Sequence, residues 1–166
     1  LPDGEFDLLG LFGQRLSVIV IARLLGVPED MGDDLLRWSN AMVGMYQAGR
    51  DRVREDAAVA ATEAFVAFMR SYVDQRRKTP SDDLITALIQ AEQEGEKLST
   101  DELITTCILL LNAGHEATVH TFGNGLKTLL ETRTPITAAP IAPLVEEIIR
   151  FDPALHMFTR HAYEDI

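Results

Sequence analysis

The stretch Leu109-Leu110-Leu111-Asn112-Ala113-Gly114-His115-Glu116-Ala117-Thr118 concentrates the residues of this sequence best able to do chemistry. It lies within an apolar helical pattern, where a glycine costs about 1 kcal/mol relative to alanine and therefore needs a cause. At helical spacing Ala113 and Ala117 lie one turn apart, as do Gly114 and Thr118. Together they form a low strip that admits either a second helix at close range or a flat ligand. Glu116 sits beside the strip, and a carboxylate on an apolar helix must be paired, hydrated or titrating at raised pKa. The Thr118 hydroxyl, four residues after Gly114, is placed to bond the Gly114 carbonyl and loosen the helix. A two-histidine zinc helix is excluded by register. Val119 occupies the fourth position after His115, and the next histidine, His120, lies about 140° further round. The single cysteine, Cys107, falls among Ile104, Ile108 and Leu111 and reads as a small core residue.

Two further signals follow. Glu147 and Arg150 are three apart on a short helical pattern and can face one another. Arg160 lies ten residues beyond Arg150, in a stretch that reads as extended, and a guanidinium there can bind a carboxylate through two hydrogen bonds.

The elements that must position these residues are helical almost throughout, so the fold class is mainly α. Apolar residues over 16–25 predict a first helix, stopped by Gly26 and Pro28. A second is expected over 30–46 and a long amphipathic third over 51–78, acidic at its start and basic at its end in keeping with the helix dipole. Ser81-Asp82-Asp83 reads as the cap of a fourth helix running to about Gln93. Ser99 with Glu102 has the spacing of a capping box and opens the longest helix, over 100–130. A short helix over 143–150 closes the regular pattern.

The 166 residues carry a net charge of −11 with no basic cluster, which argues against a nucleic-acid partner. One cysteine excludes an intramolecular disulfide and any multi-cysteine metal site. The apolar run over 16–25 is too short to span a bilayer, and no signal peptide is visible, so the expected location is cytoplasmic. The chain opens Leu1-Pro2-Asp3 without a methionine, and an authentic N-terminus is expected upstream.

In their order and spacing these segments resemble the middle of a bacterial, soluble-type cytochrome P450, a haem-thiolate monooxygenase. The likeness covers essentially all 166 residues. Leu109 to Thr118 resembles the family's long central helix over the distal haem face, with its Ala-Gly-x-Glu/Asp-Thr signature. Glu147-x-x-Arg150 is similar to the family's Glu-x-x-Arg helix, and residues 76–84 and Leu24-Leu25-Gly26-Val27-Pro28 match common family stretches. The resemblance implies a partial cytochrome P450 fold, read as one partial domain over 1–166, with the parts before it and the later cysteine loop expected outside this sequence.

It further implies haem b (heme b, iron protoporphyrin IX) as cofactor, with Ala113, Gly114 and Ala117 bordering the porphyrin and Arg160 on a propionate. Glu116 and Thr118 are implied in catalysis, relaying protons towards dioxygen. Glu147 and Arg150 belong to a structural network, and no residue here ligates the iron. The implied partners are a ferredoxin or flavoprotein electron donor and a small apolar organic substrate. The sequence departs from the pattern at Ala117, where a threonine hydroxyl is usual, and over 131–143, which is shortened. A non-catalytic all-α binding or scaffold module, with the strip as a packing seam, is the alternative.

Overall fold

The computed structural model describes residues 4–93, 98–138, 140–157 and 162–164, and among them it holds helices and no strand. The chain divides into two compact units, Leu1–Glu116 and Ala117–Ile166. Helix α5, Thr100–Glu131, contributes its first half to one and its second half to the other.

The first unit contains α1 (Gln14–Leu25), α2 (Gly32–Val43), α3 (Arg52–Lys78) and α4 (Leu84–Gln93). A π-helical turn, Leu9–Gly13, precedes α1 and starts the helical path earlier than the apolar run indicates. The second expected helix is split. A 3-10 turn over Glu29–Met31 leads into α2, and another over Gly44–Tyr46 follows it. The cause at the exit is visible in the bonding: the Gly44 N–H is shared between the Asn40 and Met42 carbonyls, tightening the last turn. Asp51 caps α3 by accepting from the Arg54 N–H at 2.9 Å. At α4 the cap is Asp83, accepting from the Thr86 N–H at 2.8 Å, while the Ser81 N–H donates to Thr86 Oγ1. The capping box of α5 forms as its spacing requires: Glu102 accepts from the Ser99 N–H at 2.7 Å and Ser99 Oγ accepts from the Glu102 N–H.

The core of this unit is built from Leu25 of α1, Leu35 and Trp38 of α2, Phe65, Met69 and Val73 of α3, Ile85 of α4 and Leu103, Cys107 and Leu111 of α5. A run of rings links Trp38 to Phe65 (centroids 5.4 Å apart), to Phe68 and on to Tyr72. It ends at a buried polar node. Gly26 closes α1 at φ +86°, and its carbonyl accepts from Tyr72 Oη at 2.5 Å and Arg76 Nη2 at 2.8 Å. Arg76 lies over the Tyr72 ring and pairs with Asp83 at 3.0 Å. A Cβ at Gly26 would overlap Asp83, so both the left-handed backbone and the close approach require glycine here. Burial pushes the Tyr72 phenol up, with the Arg76 charge opposing it.

In the second unit the remainder of α5 crosses α6 (Ile141–Phe151) at Gly125, where a Cβ would come within 2.5 Å of Ile148 Cγ2. Asn124 Nδ2 donates to the Asp152 carbonyl at 3.2 Å and fixes the far end of α6. α6 spans more than the predicted 143–150, because Pro140 begins the turn from outside and its carbonyl accepts from the Leu144 N–H. α5 ends in a six-to-one turn, Thr134 N–H to Leu129 carbonyl at 2.9 Å, with Arg133 in the left-handed region.

Candidate functional site

Within the first unit, the low strip of α5 separates into residues that face a neighbour and residues that face outward. Gly114 faces α1: a Cβ there would overlap Ile21 Cδ1 and lie 3.2 Å from Ile21 Cγ1. The absent side chain thus allows a close helix crossing, which is the immediate cause of the glycine. Ala113 is exposed, and Leu109, one turn earlier, is 64% exposed. The open face of α5 in this unit runs from Asp101 and Thr105 to Leu109 and Ala113, with nothing longer than a methyl at Ala113.

His115, beside Gly114, is buried at 2% exposure, and its Nδ1 lies 2.7 Å from Ser17 Oγ on α1. Ser17 Oγ also donates to the Gln14 carbonyl at 2.9 Å. A hydroxyl has one proton, so with that proton on the Gln14 carbonyl, Nδ1 carries the hydrogen and donates to Ser17. Glu116, next along the helix, is half-buried and makes no ion pair among the described residues. Its carboxylate is thus not locked to a cation. Asn112 is also half-buried, with Nδ2 3.9 Å from Met42 Sδ on α2. Ser17, Ile21 and Met42 carry no signal of these roles in the sequence, since each partner lies 70 or more residues away.

In the second unit Ala117 and Thr118 are exposed and border a groove of 510 Å³. Apart from Thr121, its other walls are apolar, among them Phe122, Leu126 and Leu129 of α5, and Leu144, Val145 and Ile148 of α6. The Thr118 hydroxyl makes no hydrogen bond among the described residues, which corrects the expectation that it bonds back along the helix. Thr105 and Thr106 do bond back, each at 2.8 Å to a carbonyl four residues earlier. Thr118 instead leaves its hydroxyl available at the groove edge.

Glu147 and Arg150 pair through two hydrogen bonds, Nε to Oε2 at 2.7 Å and Nη2 to Oε1 at 2.6 Å. The Arg150 hydrogen bond holds the Glu147 carboxyl below its ordinary range. Both side chains are exposed. Arg160 lies outside the described residues.

A haem placed against this chain would need a wall with little side-chain bulk and an apolar surround. Within the second unit Ala117 meets both conditions, low bulk beside an apolar groove; within the first, Ala113 meets the first, being exposed with only a methyl. They do not supply a thiolate. Cys107 is fully buried in the core, and burial pushes its thiol up to about 12. Among the described residues no three metal-ligating side chains converge. Because the unfolded thiol titrates near 9 and the folded one near 12, the unfolded state loses its proton first. Stability should therefore fall as pH rises from about 9 to 12, and Cys107→Ala should flatten that fall. Guanidinium midpoints at pH 8 and pH 10.5 measure it; equal slopes in both proteins would refute it.

Comparison with known proteins supplies the family. A family model described as Cytochrome P450 matches residues 33–137. Cytochrome P450 107B1 of Saccharopolyspora erythraea is 34% identical over 98% of this chain and 40% of its own length. The mycinamicin IV hydroxylase/epoxidase of Micromonospora griseorubida is 38% identical over 96% of this chain and 41% of its own. Among solved structures, CYP164A2 of Mycobacterium smegmatis with econazole bound superposes with TM-score 0.81 at 33% identity, covering 92% of this chain and 41% of that one. The chain thus spans about two fifths of the length of the curated relatives it matches. No helix among the described residues is long and apolar enough to cross a membrane.

Proposed function

The chain belongs to the cytochrome P450 family, and from that premise we propose that the protein is a haem-dependent monooxygenase whose oxygen-side helix is α5. The observation that carries this reading is the exposure of Ala113 on an apolar helix whose neighbouring glycine is already accounted for by packing. A packing seam explains Gly114 but leaves Ala113 uncovered, and a flat cofactor would cover it. When bound through a cysteine thiolate, haem supplies the redox chemistry by which one oxygen atom enters an apolar substrate and the other leaves as water, consuming two electrons and two protons. We place that thiolate on a cysteine other than Cys107, and assign electron delivery to a ferredoxin or flavoprotein. We assign the protein to the cytoplasm, a reading that the family resemblance supports.

The residues of this chain contribute shape and proton handling. Ala113 and Ala117 keep the ring side of α5 low, and Gly114 with the Ser17–His115 bond holds that part of the helix against α1. Glu116, which pairs with no cation among the described residues, takes protons from water and releases them at its carboxylate oxygen. Thr118 offers the nearest hydroxyl in sequence, since Ala117 stands where the family usually has one. Glu147 and Arg150 act structurally, and Arg160 is assigned to a propionate on resemblance alone.

The test is coupling in the holoenzyme, measured as product formed per reducing equivalent at equal haem content. Glu116→Gln should slow turnover and divert electrons to peroxide, while Ala117→Thr should change coupling more than folding stability. An unchanged ratio and rate in Glu116→Gln would make Glu116 a solvated helix residue.

A further inference from the structure

We propose that the outward side of α3 is a self-association surface, on which a second copy of this chain lays its own α3 antiparallel. Four charged residues, Asp56, Glu63, Arg70 and Arg77, follow one another along α3 at seven-residue intervals, so they form a single row, and all four are exposed. The row reads two negative, then two positive. Turned end for end, it is its own complement. Beside it runs a low seam of Val53, Ala57, Ala60, Ala64, Ala67 and Ser71, each exposed, whose spacing alternates four and three residues as in helices that pack along one another. α3 meets its own core with the opposite side, through Ala58, Ala61, Phe65, Met69 and Val73.

The charges select both the occupant and its direction. An antiparallel copy that sets Ala64 against Ala67 of its mate brings Glu63 to Arg70 of the second copy and Asp56 to its Arg77, and symmetry repeats each pair. A parallel copy gains nothing, because the row would then face the other edge of the seam, where Arg54, Ala61, Phe68 and Gln75 stand. A foreign helix would need the reversed row by design; a second copy has it by symmetry. Within the chain Asp56 pairs with Arg52, Arg70 with Asp101 and Arg77 with Asp74, all through side chains at the surface. Such pairs are worth little, so exchanging them for partners on a second copy costs little. With nothing longer than valine on the seam, the helices can approach to about 8 Å. A face about 40 Å long and about 10 Å wide buries on the order of 800 Å² over both copies, the area of a weak, reversible dimer.

Sedimentation velocity of the complete holoenzyme over a concentration series provides the test. The wild type should pass from monomer to dimer as concentration rises. Glu63→Arg alone and Arg70→Glu alone each set like charges opposite one another twice, and each should weaken association about tenfold or more. The two changes move net charge in opposite directions, so a shared loss is not an effect of overall repulsion. An equimolar mixture of the two variants restores all four pairs and should dimerise like the wild type. The double variant Glu63→Arg/Arg70→Glu should dimerise as well. A wild type that stays monomeric overturns the proposal, and is the result expected if another part of the chain or a different protein covers this face. Single variants that still dimerise, or a mixture that does not, place any dimer contact elsewhere and overturn it equally.

Discussion

Arg76→Met is expected to destabilise the first unit by about 2–4 kcal/mol, because it strands a carboxylate that the fold has taken out of water. The Asp83 side chain is only 3% exposed, and after the change its remaining partner is the Thr86 N–H that it caps. The Gly26 carbonyl would also lose one of its two side-chain donors, keeping Tyr72 alone. Arg76 itself retains 22% exposure, which holds the estimate below that for a wholly enclosed pair. Trp38, the single tryptophan, packs on Phe65 in the same core, so urea denaturation followed by its fluorescence reports this unit. Asp83→Asn in the Arg76→Met background should recover part of the loss, since the neutral amide still caps α4. A shift under 1 kcal/mol in Arg76→Met would show the node to be well hydrated.

The second large effect is a crossed pair of outcomes at adjacent positions. Ala113→Leu should leave stability within about 0.5 kcal/mol, because the residue is exposed, yet it should strip the holoenzyme of most of its haem by filling the space the ring needs. Gly114→Leu should do the reverse in its primary effect. Its side chain would drive into Ile21, at an overpacking cost of about 1–3 kcal/mol, whether or not haem is present. Haem content per protein and the urea midpoint, measured on both variants, separate the two. Equal haem retention in Ala113→Leu would remove Ala113 from the cofactor wall and leave the scaffold reading in possession.

The sequence pattern made the helices legible where local chemistry decides them. Asp51 before α3 and Ser99 with Glu102 before α5 are caps whose bonds span three residues, and they form as their spacing requires. Boundaries set by tertiary demand were not legible. The early start over Leu9–Gly13 does have a local cap, Asp7 accepting from the Gly10 N–H at 3.1 Å, but it lies ahead of the apolar run, and the tightening of α2 into 3-10 turns depends on where Gly44 shares its N–H. At the candidate site, periodicity identified the low strip of α5 but could not divide it. A helical wheel assigns residues to faces without saying what stands opposite, so Gly114 and Ala113 look alike until α1 is in place. The Asn112–Met42 contact was hidden for the same reason, since its partners lie 70 positions apart.

The Ser17–His115 bond joins residues 98 positions apart, with consequences for the growing chain. At about 5–20 residues per second, a ribosome needs about 5–20 s to deliver His115 after Ser17. Throughout that interval α1 presents Ile21 to water without the glycine notch that receives it, and the histidine that is to donate to Ser17 does not yet exist. The nascent protein therefore carries a sticky, unmated helix until α5 emerges. A synonymous codon change that slows synthesis between residues 26 and 115 lengthens that exposure without altering a single atom of the finished molecule.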